Sequence, residues 1–426
     1  MGGDRPPGYR PRIVIVGAGI SGLVVASLLE DIPADVIVLD QAMSPSRQRV
    51  FPGIVSASDL RAVGLTADPD HALPVTRVTD AATNGANPAT VRVTKDWMAI
   101  KHGNLLGALK ASAESNGVTF IPDATVTGFR WEDGVVAGVE NTESGTSYLA
   151  DIVVIGDECS PRLAERLGLR PDWSPTELMH VGKRWYGADP ETVRDRMGVD
   201  GADFDVISLE MAASWGSPGW ALIIPGPDSI SVVVAMSLEE AMVSARHISE
   251  YFDEVERQLK VQDCIDGLTL ETYVTEVVPT GGFDTRHTFH TDGVIVVSDL
   301  VGVTHPLNRD GLSSNLVVAA AAARTIVDAV ANDDYRSVSL RRYSEAIVDE
   351  ITSPVNAARR TDKLRRSRQP WQWAVKADLF AAFEGVTVGP NSATLPGVGD
   401  TGILQRLRGF GRIPGVRRHA PGEYDE

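Results

Sequence analysis

Three glycines near the N-terminus have the spacing of a turn that binds phosphate groups. Gly17, Gly19 and Gly22 follow a short apolar run, and Asp40 ends a second apolar run further along the chain. The first glycine permits a tight turn, the second lets a pyrophosphate approach the backbone, and the third lets a helix pack closely on a sheet. A carboxylate about 20 residues beyond can accept hydrogen bonds from ribose hydroxyls. The pattern therefore predicts a dinucleotide site.

These residues need a strand before the glycines and a helix after them. Residues 13–16 form a β-branched run typical of a parallel strand that is buried on both faces. A helix that begins near Ile20 would direct its N-terminal amides and positive dipole end at the phosphates. We therefore predict that Ala18, Ile20 and Ser21 of the turn, and Gln41 after the second strand, also contact the nucleotide.

A second set of spaced residues lies much later in the chain. The pattern predicts a strand that ends at Asp299, a loop with Pro306 and Gly311, and a small-residue helix from about Leu312. This segment resembles the second flavin motif of glutathione-reductase-type FAD proteins, roughly G-D-A-A-x-x-x-x-P-x-x-G-x-G, with Ser298 at its first glycine. The resemblance implies that the aspartate binds the ribityl chain and that the helix dipole faces the flavin pyrimidine.

A third segment ends another apolar strand at Asp157. It resembles the motif A-D-G-x-x-S-x-x-A-R of the same flavoproteins, with Leu163 and Ala164 matching and Glu158 in place of the usual glycine. In the second motif, Arg309 likewise replaces a glycine. The three segments occur in the order found in these proteins, and the resemblance implies that the cofactor is FAD.

Two further segments extend the resemblance. The stretch MHVGKRWYGADPETVRDRMGV from Met179 is similar to a lysine-containing segment that opens a substrate domain, and residues 277–283 are similar to a turn before the last FAD strand. Together with the motifs, they make residues 10–350 resemble the geranylgeranyl reductase superfamily, in its Fix-type and electron-transfer-flavoprotein:quinone oxidoreductase branch. The resemblance implies an FAD-dependent oxidoreductase that transfers hydride to or from a carbon centre of a small organic, biosynthetic intermediate.

Other functions on the same scaffold stay open. One is an FAD monooxygenase that uses NAD(P)H and O₂, and another is an electron-transfer flavoprotein that works with a separate ferredoxin. The quinone oxidoreductases add a four-cysteine iron–sulfur cluster, and no cysteine follows Cys264 here, so a ferredoxin or NAD(P)H would have to donate electrons. A homologue that has lost its flavin also stays open, because Glu158, Ser298 and Arg309 are substitutions within the flavin motifs.

The order of the segments predicts the domain organisation. The fold class is α/β, with a glutathione-reductase-type Rossmann FAD-binding domain, an inserted α+β antiparallel-sheet substrate domain and a C-terminal helical region. Residues 10–170 and 285–340 would form the FAD-binding domain, with a substrate-domain excursion at 61–95. Residues 171–284 would form the substrate domain, and 341–426 a helical region with a basic tail.

The flavin ring is expected at the interface of these two domains, where pockets commonly form. Aromatic and cationic side chains of the substrate domain are the candidates for the pocket: Lys183, Trp185, Tyr186, Trp215 and Trp220. His305 directly precedes Pro306 of the flavin motif, so it is the candidate proton donor. No nucleophile is expected, because the flavin supplies the chemistry.

Composition limits the alternatives. The formal charge of −17 argues against nucleic-acid partners, because phosphates would be repelled. Two cysteines, Cys159 and Cys264, are too few for a disulfide framework or a four-cysteine metal site, so no metal and a reducing cytoplasm are expected. The N-terminus lacks the apolar stretch of a secretion signal. No run reaches about 18 apolar residues, so no transmembrane segment is predicted.

Overall fold

A computed structural model describes most of the chain. The described residues are 8–41, 53–66, 72–80, 89–156, 162–169, 173–199, 201–210, 219–244, 246–279, 287–304, 311–348 and 386–388. The predicted residues Asp157, Trp215, His305 and Pro306 therefore lie outside the described part, as do Glu158 and Arg309.

The strands fall into three sheets. In chain order they are β1 (Arg12–Val16), β2 (Asp35–Leu39), β3 (Ile54–Ser56), β4 (Ala72–Asp80), β5 (Ala89–Ile100), β6 (Thr119–Ile121), β7 (Gly128–Glu132), β8 (Val135–Glu140), β9 (Ser147–Leu149), β10 (Ile152–Ile155), β11 (Leu178–Gly187), β12 (Phe204–Glu210), β13 (Gly219–Gly226), β14 (Ser229–Ser237), β15 (Thr269–Pro279), β16 (His290–Thr291), β17 (Val294–Val296) and β18 (Val386–Val388).

The helices cover two of these sheets. They are α1 (Ile20–Leu28), α2 (Ala57–Ala62), α3 (His102–Ser115), α4 (Arg162–Arg166), α5 (Pro190–Met197), α6 (Leu238–Ser244), α7 (Ile248–Glu256), α8 (Leu259–Ile265) and α9 (Leu312–Asn332). Residues 337–348 are also helical. Short 3₁₀ turns lie at Pro175–Glu177 and Ser298–Val301.

The first sheet has the order β16-β17-β10-β1-β2-β6. Its strands are parallel, apart from the pairing of β16 with β17. The registers align Val16 with Leu39 and Ile155, and Ile155 with Val296. Four strands therefore end together at one edge, and in open α/β sheets ligands bind outside this carboxyl edge.

Fully buried strands explain why the first sheet is continuously apolar in sequence. Ile13, Val14 and Ile15 of β1 have no exposed surface, and neither has any residue of β10 or β17. Helix α1 lies between α3 and α9 on this sheet. Because both faces are covered, every position of the central strands is a core position.

The second sheet has nine strands, in the order β15-β11-β14-β13-β12-β4-β5-β18, with β3 also paired to β5. Its pairings are antiparallel except for β4 with β12. β18 lies within the predicted helical C-terminal region, so part of that region is a strand. A smaller antiparallel sheet joins β7, β8 and β9. The predicted combination of a Rossmann-type sheet with a largely antiparallel one is confirmed.

Side chains alternate between the two faces of the second sheet. One face packs against α5, α7 and α8 through a buried cluster that includes Ile223, Val234 and Phe252. The opposite face, which we call the Trp220 face, is defined by Met179, Val181, Trp220, Val233 and Ala235. Because successive residues of a strand point to opposite faces, each side chain of β11 can be assigned to one of them.

One helix of the described part is long and apolar enough to cross a membrane, by length and composition alone. This helix is α9, and 67% of its most apolar 18-residue window is buried inside the protein. Its alanines pack in the core of the first sheet. The apolar character of α9 is therefore accounted for by its place in the core.

Candidate functional site

The predicted glycine turn lies at the carboxyl edge of the first sheet. Gly17 has φ of +101°, a left-handed conformation that favours glycine. Its N–H donates to the carbonyl of Leu39 at 2.8 Å. Helix α1 begins at Ile20, and Gly19 caps it in an extended conformation. The turn therefore leads the chain directly from β1 into the N-terminus of α1.

Gly22 holds the helix against this turn. A Cβ atom at position 22 would lie 2.1 Å from the carbonyl oxygen of Gly17 and 3.3 Å from Cγ2 of Ile15. Gly156, after β10, is similarly close, since its Cβ would lie 3.1 Å from Cα of Gly22. The third glycine is thus required by close packing, as the sequence pattern predicted.

Asp40 lies beside the turn, directly after β2. Its Oδ2 atom accepts a hydrogen bond from the backbone N–H of Ala18 at 2.7 Å. Gln41 follows it and is exposed. The carboxylate therefore joins the ends of β1 and β2 at the same edge, which is the position of a ribose-binding carboxylate in dinucleotide folds.

Two observations show that this edge fits an anionic, oxygen-rich ligand. Among the described residues, no side chain caps the N-terminus of α1, so none of them satisfies the amides that a helix leaves unpaired there. Ser21 is fully buried, and its hydroxyl has no hydrogen-bond partner among the described residues. A buried hydroxyl without a partner is costly, and a pyrophosphate oxygen would satisfy it. The residues present therefore fit the pyrophosphate of a dinucleotide.

The second motif lies close by, around the 3₁₀ turn at Ser298–Val301. Asp299 Oδ1 accepts a hydrogen bond from Nδ2 of Asn315 at 2.7 Å and a longer one from the Thr304 hydroxyl at 3.5 Å. A Cβ atom on Gly311 would lie 3.3 Å from that same Oδ1 atom. Leu312 then begins α9 and is buried. The turn also lies against α1, so the structure brings both motifs together.

Asn315 was missed by the sequence reasoning. It lies in the first turn of α9, is 6% exposed, and its Oδ1 atom has no hydrogen-bond partner among the described residues. A buried amide in an otherwise apolar helix is the signal that could have identified it, because buried polar atoms are normally satisfied. We infer that it orients Asp299 and presents an acceptor toward the same ligand.

Replacing Asn315 with leucine is expected to lower FAD affinity about tenfold, a loss of about 1.4 kcal/mol. The substitution removes the buried acceptor and the 2.7 Å bond to Asp299, and the melting temperature of the apoprotein is also expected to fall, because the Asp299 carboxylate loses this donor. Fluorescence titration and thermal unfolding measure the two quantities. Asn332→Leu, at the exposed far end of α9, is the matched control. Equal FAD affinities for both variants would place Asn315 outside the site.

Ser298 shows why the related motif begins with glycine. Its φ is +75°, and the residue is fully buried. This left-handed conformation costs a residue with a side chain about 1 to 2 kcal/mol. Ser298 therefore keeps the backbone geometry of the motif, at an energetic cost that glycine would avoid.

Ser298→Gly is expected to raise the free energy of unfolding by about 0.5 to 1 kcal/mol. Glycine relieves the strain free energy of the folded state. This gain exceeds the stability that is lost because glycine gives the unfolded chain more conformational entropy. Urea unfolding measures the change. Ser112→Gly, inside α3, provides a control of opposite sign, because glycine in a helix interior costs about 0.5 kcal/mol or more. A destabilised Ser298→Gly protein would show that the serine is not strained.

The predicted pocket residues divide between the two faces of the second sheet. Lys183 and Trp185 follow Met179 and Val181 at every second position of β11, so they share the Trp220 face. Tyr186 lies on the opposite face, where its hydroxyl donates to Oε1 of Glu256 at 2.5 Å. The structure therefore groups Lys183, Trp185 and Trp220, and separates Tyr186 from them.

Burial changes the acid–base properties of two of these residues. Lys183 is 6% exposed, and its Nζ atom lies 4.7 Å from the centre of the Trp185 ring. Burial, together with the nearby positive charge of Lys101, lowers the pKa of Lys183 to about 7. Burial and the carboxylate of Glu256 raise the pKa of Tyr186. Lys183 is thus the titratable group of the Trp220 face that changes charge near neutral pH.

Sequence comparison finds relatives across most of the chain, although no family model matches. The chain is 24% identical over 347 residues to a probable electron transfer flavoprotein-quinone oxidoreductase, YdiS, from Escherichia coli strain K12, covering 78% of this chain and 80% of that protein. It is also 24% identical over 319 residues to FixC from Rhizobium meliloti strain 1021, covering 72% of each chain.

Solved structures share the fold. A geranylgeranyl bacteriochlorophyll reductase-like protein from Thermoplasma acidophilum superposes with a TM-score of 0.73 at 15% identity, covering 94% of this chain and 99% of that one. A probable FAD-dependent monooxygenase from Pseudomonas aeruginosa, PqsL, gives 0.65 at 15% identity, covering 87% and 100%. A mutant of the halogenase PltM in complex with FAD gives 0.65 at 11% identity, covering 87% and 79%.

These similarities confirm the resemblance to Fix-type and geranylgeranyl-reductase-like flavoproteins that the motifs predicted. Both relatives and solved structures include redox flavoproteins, which supports FAD as the predicted cofactor. The general class of the protein is therefore that of flavin-dependent redox enzymes. The neighbours include proteins of different reaction types, so they leave the particular reaction open.

Proposed function

We propose that this protein binds FAD and uses it to transfer hydride to or from a carbon centre of a small organic molecule. The observation that carries the proposal is the edge of the first sheet, where the buried Ser21 hydroxyl, the uncapped start of α1 and Asp40 lie together. Asp299 and Asn315 lie on the neighbouring 3₁₀ turn and helix α9. Bound FAD would supply the hydride chemistry.

The residues of the chain would bind and orient this cofactor. The turn from Gly17 to Gly22 would hold the pyrophosphate, and Asp40 the adenosine ribose. Asp299 would hold the ribityl chain, and the N-terminus of α9, from Gly311 and Leu312, would face the pyrimidine ring. Asp157, Pro306 and His305 remain proposals at the same site, with His305 as a proton donor.

The second sheet would form the substrate domain. We propose that it comprises residues 171–284 together with β3, β4 and β5, because these strands pair into one sheet with β12. The FAD-binding domain would then comprise the rest of 10–170 and 285–340. The buried position of α9 supports the proposed cytoplasmic location without a transmembrane segment.

The role of oxygen distinguishes a dehydrogenase or reductase from a monooxygenase. FAD-loaded protein is mixed anaerobically with NADH, NADPH or a reduced ferredoxin, and the flavin absorbance is followed. We expect one donor to reduce the flavin, and an artificial acceptor to sustain turnover without O₂. Turnover that requires O₂ and gives an oxygenated product would contradict the proposal and favour a monooxygenase.

An electron-transfer role is the second candidate. It is favoured by the similarity over most of the chain to YdiS, named as a probable electron transfer flavoprotein-quinone oxidoreductase. In this case a separate ferredoxin would exchange electrons with the flavin, and no small molecule would be turned over. Rapid reduction by ferredoxin, with no product formed from any candidate substrate, would favour this function over the first.

A further inference from the structure

A cavity of about 410 Å³ lies at the amino edge of the first sheet, opposite to the carboxyl edge that carries the glycine turn. The first residues of β1, β2 and β6 all line it: Arg12, Asp35 and Thr119. Its volume is within the range of small-molecule sites. Strand β1 runs from Arg12 to Val16, so four residue steps, about 13 Å, separate the cavity from the glycine turn. The cavity is therefore distinct from the proposed flavin site.

The side chain of Arg12 requires an acceptor at this cavity. Its Nε atom is buried and has no hydrogen-bond partner among the described residues. The backbone N–H of Arg12 donates to Oδ2 of Asp151 at 2.8 Å, but in the described part of the chain no carboxylate forms an ion pair with the guanidinium. A guanidinium group is always charged and has donors only, and a buried donor without a partner is costly. A ligand carboxylate would satisfy it.

The second arginine at the cavity already has its partners. The Nε atom of Arg10 lies 3.1 Å from Oδ1 of Asp35, and its Nη2 atom donates to the carbonyl oxygen of Ala34 at 3.1 Å. The positive charge of Arg10 is therefore balanced within the wall of the cavity. Arg12 carries the positive charge that a ligand would have to balance.

Asp31 supplies a negative charge at the same cavity. It lies in the loop between α1 and β2 and is exposed. Among the residues that the structure describes, none forms a hydrogen bond or an ion pair with its carboxylate. Arg12 and Asp31 thus line one cavity without pairing with each other. A compact ligand that lies between them can contact both charges.

Two helix C-termini add to the negative potential of the cavity. Leu29 directly follows α1 and Asn116 directly follows α3, and both residues line the cavity. The carbonyl groups at a helix C-terminus carry partial negative charge and favour cations. Together with Asp31, they disfavour a simple anion such as phosphate beside Arg12. A ligand that carries one positive and one negative group fits both sets of charges.

Apolar side chains form another part of the wall. Ile32 and Ile37 line the cavity, and both are partly buried against the core of the first sheet. Covering their remaining exposed surface with an apolar group is favourable. The ligand is therefore expected to combine two opposite charges with an apolar side chain.

We propose that this cavity binds a free α-amino acid with an apolar side chain, in its zwitterionic form. The guanidinium of Arg12 would donate charge-assisted hydrogen bonds to the carboxylate. The ammonium group would lie beside Asp31 and the carbonyl groups at the ends of α1 and α3, and the side chain would pack on Ile32 and Ile37. Such a ligand would bind without reacting with the flavin, because the two sites lie at opposite edges of the sheet. The inference is therefore independent of the proposed function.

Calorimetry with matched ligands tests this proposal. Purified protein is titrated at neutral pH with leucine, methionine and phenylalanine. Each is compared with its amide, which lacks the carboxylate, and with its N-acetyl derivative, which lacks the ammonium group. We expect at least one amino acid to bind at least about tenfold more tightly than its amide and about fivefold more tightly than its N-acetyl derivative. Saturating FAD is expected to leave this affinity unchanged.

Two variants that each remove one charge locate the ligand. Arg12→Met is expected to lower the amino-acid affinity at least about tenfold. Asp31→Asn is expected to lower it about fivefold, and asparagine tolerates the left-handed backbone of this position, where φ is +55°. Arg130→Met, which removes an exposed ion pair on β7, and Asp123→Asn, at another exposed position with φ of +55°, are the controls and should bind as the unchanged protein does. Should Arg12→Met fail to fold, as judged by thermal unfolding, Asp31→Asn still tests the assignment.

The proposal is overturned if no amino acid binds more tightly than both of its derivatives, or if both site variants bind as tightly as the controls. Binding that saturating FAD abolishes would also overturn it, because the ligand would then occupy the flavin site. These outcomes are separable from the test of the flavin, because calorimetry detects the amino acid whether or not FAD is bound. A protein that takes up no FAD would contradict only the proposed function.

Discussion

Gly22→Ala is expected to weaken FAD binding by at least about 100-fold, or about 2.7 kcal/mol. A Cβ atom at this position would lie 2.1 Å from the carbonyl oxygen of Gly17, well inside van der Waals contact. Helix α1 would have to move away from the turn, and the amides that are proposed to hold the pyrophosphate would move with it. Fluorescence titration of the apoprotein with FAD measures the affinity.

Gly107→Ala is the matched control for this substitution. Gly107 lies inside α3, and a Cβ atom there would have no neighbour within 4 Å. Alanine at this position is expected to stabilise the protein by about 0.5 to 1 kcal/mol, and to leave FAD affinity unchanged. If the Gly22 and Gly107 variants bound FAD equally well, the glycine turn would not be the pyrophosphate site.

Lys183→Met is expected to raise the free energy of unfolding by about 2 to 4 kcal/mol at pH 6. The folded protein lowers the pKa of this amine from 10.5 to about 7, chiefly through burial. At pH 6 the amine is charged in both the folded and unfolded states, so the folded state bears the net cost of the charge that the lowered pKa reflects. Methionine has a similar length and no charge, and the lost contact with Trp185 offsets only about 0.5 to 2 kcal/mol of the gain.

The pH dependence distinguishes this cause from a simple change in packing. Between about pH 7 and 10.5 the unfolded state binds more protons at this residue than the folded state does, so the stability contributed by Lys183 rises with pH. The advantage of the methionine variant should therefore shrink as the pH is raised from 6 to 10. Flanking residues of β14 and β15, Val233 and Val274, do not titrate.

Urea unfolding at pH 6 and pH 10 measures this difference. Lys110→Met removes an exposed lysine that is ion-paired within α3, and it is expected to change stability by less than about 0.5 kcal/mol at either pH. A Lys183→Met protein that is less stable at both pH values would show that the buried amine is well paired. In that case it would not bear the cost of desolvation.

The local parts of the fold were predictable because their signals are contiguous. The β-branched run before Gly17, the glycine spacing and Asp40 lie within one short segment, and sterics alone link them. The contact between Asp299 and Asn315 was not predictable, because it depends on the loop that joins the 3₁₀ turn to α9. The left-handed backbone of Ser298 could be inferred only from the glycine that the related motif has there.

The second sheet illustrates another limit. Strand alternation could have separated Tyr186 from Lys183 and Trp185. Lys183 and Trp185 are two positions apart along β11 and therefore share a face, whereas Tyr186 is an odd number of positions from each of them and points to the other face. Sequence alone could not show which face α7 covers. The pairing of β4 with β12 joins segments more than 100 residues apart, and no local pattern encodes such a contact.

The most direct test of the account is the flavin content of the purified protein. Absorbance is recorded before and after heat release of bound ligand, and the released flavin is identified and compared with the protein concentration. The account predicts FAD at close to one equivalent per chain, either as purified or after incubation with FAD. A protein that carries no flavin and takes up none from solution would contradict it, and would indicate a homologue that has lost the site.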